Sequence, residues 1–167
     1  ARTIRAELPG YTSFIYSSRE LARALRLEAW WSNDPHRRRG FLLQALAQLS
    51  PPSGAEVRLG PLDQAVLDLG AAEVLVDLGC AERDSSRFSE ALVRLREAER
   101  ALPRRQAPNL AGQASLQRLR IEGQLYAITG SEVHLVHARQ VVDEWSALRV
   151  NTMTPRWTAL AAEAQAV

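Results

Sequence analysis

The chain has 167 residues, 46% of them hydrophobic and 24% charged, with a formal net charge of +2. That is enough apolar material for one globular domain or repeat array, and too little charge for a disordered one. The single cysteine excludes an internal disulfide, and the complete absence of lysine excludes a Schiff-base lysine or a phosphate-loop lysine. The arginine-only basic set points to GC-rich coding, so the arginine count is discounted as a nucleic-acid signal.

In chain order, helix signals dominate. Residues 13–31 place Leu21, Ala24, Leu25 and Glu28 at helical spacing, with Ser17 or Ser18 as an internal start. The stretch "SNDP" at 32–35 supplies capping residues and a proline suited to a first turn. A second helix covers 36–49, and "SPPSG" at 50–54 ends it. Residues 55–60 alternate weakly, as a short extended segment would. A helical stretch follows from Pro61 to Arg83, with a bend or break expected at Gly70, since glycine inside a helix costs about 1 kcal/mol against alanine.

"DSSR" is a turn, with Ser86 as the expected cap of the next helix. Residues 87–102 form a strongly amphipathic helix with Phe88, Ala91, Leu92, Leu95, Ala98 and Leu102 on one face. After the connector 103–109, Asn109 caps a helix at 110–129 that Gly130 closes. Further helices are expected at 133–148 and, from the Thr154–Pro155 start signal, at 155–166. The reading is an all-α fold of antiparallel helix pairs.

Residues 72–105 carry an internal pattern. Leu75, Leu78 and Gly79 lie on one helix, Phe88, Ala91, Leu95 and Ala98 on the next, and Pro103 follows. This 34-residue window resembles a tetratricopeptide repeat, departing from it at Glu82, where an aromatic residue is usual. Small Gly79 and Ala91 would let the two helices cross closely. A weaker second copy aligns Leu119 with Leu75, Gly123 with Gly79, and Tyr126 with the usual aromatic. Ala138, Val142 and Trp145 would follow beyond Gly130. The spacing between the two glycines is 44 residues.

The resemblance implies a short stacked α-solenoid over 1–167. Its parts would be a degenerate N-terminal helix pair at 1–52, the best unit at 61–105, a second unit at 109–150 and a capping helix at 154–167. Trp145, Trp157 and Leu160 would cap the array or bury against a second copy in a homodimer.

Candidate chemistry is sparse. Cys80 with His134 or His137 would need a thiolate activated beside an imidazole, but Cys80 follows Gly79 within a helix, not at a helix N-terminus where its pKa would be lowered. His134 and His137 share a helix face three residues apart, yet no partner cysteine or carboxylate pattern accompanies them, so no metal site is assigned. The pairs Glu97/Glu99 and Asp143/Glu144 do not share a helix face and are not acid–base pairs. "RELARALRLEAW" at 19–30 resembles the first helix of a helix-turn-helix, but Arg26 replaces the turn glycine and direct nucleic-acid binding is not expected.

The expectation is therefore not an enzyme, with no cofactor. It is a cytoplasmic bacterial scaffold or adaptor that binds another protein or peptide through a concave groove. By the resemblance, Glu73, Val76, Cys80 and Arg83 would line that groove from one unit, and Gln117, Arg120, Gln124 and Ala127 from the next. The family's lysine/asparagine clamp for a terminal carboxylate is lacking: Val76, Cys80, Arg120 and Gln124 stand in the matching places. Arg83 and Arg120 would still suit an acidic peptide. The alternative is a sensory or dimerisation domain of a bacterial transcription regulator. No run of residues is long and apolar enough to span a membrane, and no secretory signal is visible.

Overall fold

The computed structural model describes residues 9–50, 59–102 and 108–147, with side chains placed for most of them. These residues form an all-α fold of six helices: α1 (Pro9–Trp31), α2 (Pro35–Gln48), α3 (Pro61–Glu82), α4 (Ser85–Ala101), α5 (Pro108–Thr129) and α6 (Glu132–Ala147). No strand occurs among them. Residues 55–58 of the expected extended segment and the expected last helix with Trp157 and Leu160 lie outside the described residues, as does the side chain of Trp145. Where the sequence suggests one repeat domain over 1–167, the chain divides into two compact units, 1–117 and 118–167, with the boundary inside α5.

In the first unit, α1 packs on α2, α3 packs on α4, and α3 also touches α1 and α2. The helix starts follow local chemistry. Asp34 caps α2 by accepting a hydrogen bond from the His36 N–H at 2.9 Å, with Pro35 in the first turn. Pro61 opens α3 behind Gly60. The cap of α4 is Asp84, not Ser86: its carboxylate accepts from the Ser86 N–H at 2.9 Å. The Ser86 hydrogen bonds hold Asp84 below the usual aspartate pKa. The helix that begins at Pro108 already contains Asn109, so Asn109 is not its cap.

Gly70 does not break α3, which runs unbroken past it. A Cβ there would lie 3.2 Å from Leu49 Cδ2, so the missing side chain is the seat of the last residue of the α1–α2 hairpin. Gly79 behaves as its spacing suggests. A Cβ on it would sit 2.8 Å from Phe88 Cζ, and the Phe88 ring lies flat over the space a methyl would take. Leu75, Phe88, Ala91, Leu95 and Ala98 are all fully buried, as is Leu78, which packs in the cluster that α3 forms with Ala22 and Ala29 of α1 and Leu42 of α2. Each large apolar side chain removed from water contributes about 1.5–3 kcal/mol.

Two faces differ from expectation. In α1 the inward stripe is Ile15, Ser18, Ala22, Leu25 and Ala29, while Leu21, Ala24 and Glu28 face solvent. Small Ser18, Ala22 and Ala29 were outweighed by the larger Leu21 in the sequence pattern, yet a close helix approach selects small residues. In the second unit Gly123 has open space around it and Tyr126 is exposed; Ile121, Glu122 and Leu125 are buried, with Val141 from α6. The Gly79 crossing is therefore not repeated at Gly123.

Candidate functional site

The arginine stripe of α1 builds the main polar feature of the first unit. Arg19, Arg23 and Arg26 recur at helical spacing and border an open cleft of about 430 Å³. Ala22, Leu49, Gly70 and Val74 supply its apolar floor, and Glu20, Glu73 and Gln113 complete the polar rim. Arg26 anchors the cleft. Its Nε donates to Asp77 Oδ2 at 2.8 Å, and its Nη1 pairs with Glu73 Oε2. Burial alone would lower the Arg26 pKa, but the Asp77 and Glu73 carboxylates outweigh it and the net shift is upward. Gln113 Nε2 donates to the other Glu73 oxygen, and Arg19 Nη2 donates to Gln113 Oε1 at 3.4 Å. A chain of polar contacts thus runs from α1 through α3 to the start of α5.

A second polar tie joins three helices of this unit. Glu82 accepts from Arg39 Nε of α2 at 2.6 Å and from Arg87 Nε of α4 at 3.3 Å. The Arg39 hydrogen bond, helped by Arg87, holds Glu82 below the usual glutamate pKa. The departure from the repeat pattern at Glu82 is thereby explained: an ion pair stands where an aromatic side chain would pack. A third pair, Arg94 Nη1 to Asp68 Oδ1 at 2.9 Å, joins α4 to α3 with Asp68 buried.

Of the residues expected to line the groove, only Glu73 borders this cleft. Val76 is fully buried at 0% exposure and offers nothing to a partner, a correction to its expected place. Cys80 is exposed on α3. Arg83 is exposed as the C-cap of α3, with a left-handed backbone (φ 53°). Gln117 is half-buried, and its Oε1 is enclosed without a hydrogen-bond partner. In the second unit Arg120 and Ala127 are exposed and Gln124 is half-buried. The sequence reading missed Arg19, Arg23, Arg26 and Gln113. The i, i+4, i+7 recurrence of the three arginines was the available signal, and it was absorbed into the helix-turn-helix comparison. That comparison fails structurally, because residues 19–30 lie inside one unbroken helix.

The second unit holds a different cluster. Glu122 on α5 is 2% exposed; His134 Nδ1 lies 2.7 Å from its Oε2 and His137 Nδ1 lies 3.5 Å from its Oε1. The two histidines sit in the first turns of α6, immediately after the Gly130 turn. A carboxylate does therefore accompany His134 and His137, contributed by the facing helix. The flanking pair Asp143/Glu144 has an ordinary role on one side, with Glu144 Oε2 3.9 Å from Arg118 Nη1.

No protein-family model, curated protein or solved structure significantly matches this chain. Among the described residues, no helix is long and apolar enough to cross a membrane.

Proposed function

We propose that the chain is a short helical-repeat module of tetratricopeptide type that binds an extended segment of another protein. The observation that carries this reading is the cleft along α1 and α3, the first helices of their hairpins. Its apolar floor and hydrogen-bonding rim suit a peptide backbone with alternating contacts. Arg26 and Glu73 hold each other and form the rigid wall, while exposed Arg23 stands at the rim. Acidic residues of a bound segment would meet Arg23 and Arg19, so binding weakens as salt rises.

A displayed random-peptide library selected on the wild-type chain, with Arg23→Glu as counter-selection, tests the reading. Acidic sequences enriched on the wild type, with affinity at least tenfold weaker for the variant by calorimetry, support it. Failure to enrich any sequence, or equal binding to both proteins, refutes it.

A second reading, the dimerisation or sensory domain of a transcription regulator, is favoured by one observation. Leu27, Trp30 and Trp31 are all exposed and lie within the last five residues of α1. Sedimentation velocity on the wild type and on a Trp30→Ser/Trp31→Ser double variant separates the readings. A dimer that the double variant dissolves supports the second, and a monomer at all concentrations removes it.

A further inference from the structure

Glu122 presents an unusual demand for compensation. A carboxylate at 2% exposure is costly unless a cation or hydrogen-bond donors meet it, and here two imidazoles converge on its two oxygens. One candidate ligand atom from each of Glu122, His134 and His137 can be chosen so that all three lie within 4.8 Å of one another. The two histidines are three residues apart, so a single helix face presents both. Their rings stand nearly perpendicular (78°) with centroids 6.4 Å apart, so they do not stack against each other.

We propose that Glu122, His134 and His137 form a binding site for one divalent transition metal ion of the zinc class, with at least one coordination position open to water or a partner group. The donor set decides the class. Two imidazole nitrogens and one carboxylate oxygen suit zinc and its neighbours, whereas magnesium and calcium take oxygen ligands almost exclusively. Geometry agrees. Bonds of about 2.0–2.2 Å to a tetrahedral ion place ligand atoms ~3.3 Å apart. The separations of 2.7 Å from His134 Nδ1 to one Glu122 oxygen and 3.5 Å from His137 Nδ1 to the other straddle that value, and one ligand atom from each of the three residues lies within 4.8 Å of the other two, so the three side chains would draw in around the ion. Both Nδ1 atoms face the carboxylate, which leaves each Nε2 for an outer hydrogen bond that would fix its tautomer. A bound ion would supply the positive charge that the buried carboxylate needs.

The site belongs to α5 and α6 alone and does not depend on the peptide-binding reading. Its test uses the full chain carrying Cys80→Ser, so that the exposed thiol cannot supply a ligand. After chelator dialysis, zinc is titrated calorimetrically and cobalt is titrated by visible absorption. One-to-one zinc binding with the intense d–d bands of four-coordinate cobalt is expected. His137 is 41% exposed, so His137→Gln should leave the fold intact, as circular dichroism can verify. That variant should bind zinc at least tenfold more weakly, the lower end of losses seen even for outer-shell changes. His36→Gln should bind as the parent does. No zinc binding by the parent, or parent-like binding by a folded His137→Gln, overturns the assignment.

Discussion

The α3–α4 and α5–α6 hairpins use the same residue type in opposite places. In the first, glycine lies at the helix crossing, where Gly79 admits the Phe88 ring, and an arginine takes the left-handed position at the turn. In the second, Gly123 stands in open space and Gly130 takes the left-handed position (φ 66°), its N–H donating to Tyr126 O at 2.8 Å. Glycine is thus a packing residue in one hairpin and a turn residue in the other. The first hairpin is sealed by close apolar contact. The second buries a carboxylate between two histidines, an arrangement suited to holding something rather than to tight closure.

Truncating the crossing partner should produce the largest effect. Phe88→Ala empties the space over Gly79 and should cost about 3–5 kcal/mol in urea unfolding. Next comes Arg26→Met, which leaves Glu73 and Asp77 without their guanidinium; a loss of ~3 kcal/mol is expected, with the helix content retained at 25 °C. Gly79→Ala should cost about 1–3 kcal/mol by overpacking against the ring. Gly123→Ala should instead gain up to about 1 kcal/mol, because an open helical position rewards alanine. Equal signs for these two glycine variants would erase the contrast between the hairpins. The smallest effect is pH-dependent. Because the Glu82 pKa is lowered in the folded state, its contribution is complete above the ordinary value of 4.5 and is lost as pH falls through the lower folded value. The stability gap between wild type and Glu82→Gln should therefore be constant near neutrality and close on acidification below about pH 4.5.

What could be read in the sequence follows contact range. The α3–α4 hairpin was legible because Gly79, Phe88, Ala91, Leu95 and Ala98 encode their packing in short spacings on two consecutive helices. The α1 face was not, since small residues make a faint pattern and Leu21 outweighed Ala22. The second repeat copy matched glycine to glycine, but an alignment does not show whether a neighbouring ring fills the vacated space. The cleft and the carboxylate–histidine cluster were hidden for another reason. Glu122 becomes a neighbour of His134 only once the chain reverses at Gly130, and Arg26 meets Glu73 and Asp77 only once α1 lies along α3. Spacing within one helix cannot reveal such pairs.

Arg26 also acts as a positional stop. Its two acceptors, Glu73 and Asp77, are four residues apart on one side of α3, and one guanidinium fork engages both. Sliding α1 along α3 by a single helical turn, about 5.4 Å, would carry the fork past one carboxylate and strand it. Apolar helix faces tolerate several alignments with little change in buried area. A two-pronged charge contact tolerates one, so this arginine sets where the first hairpin halts against the second and keeps the cleft at a fixed width.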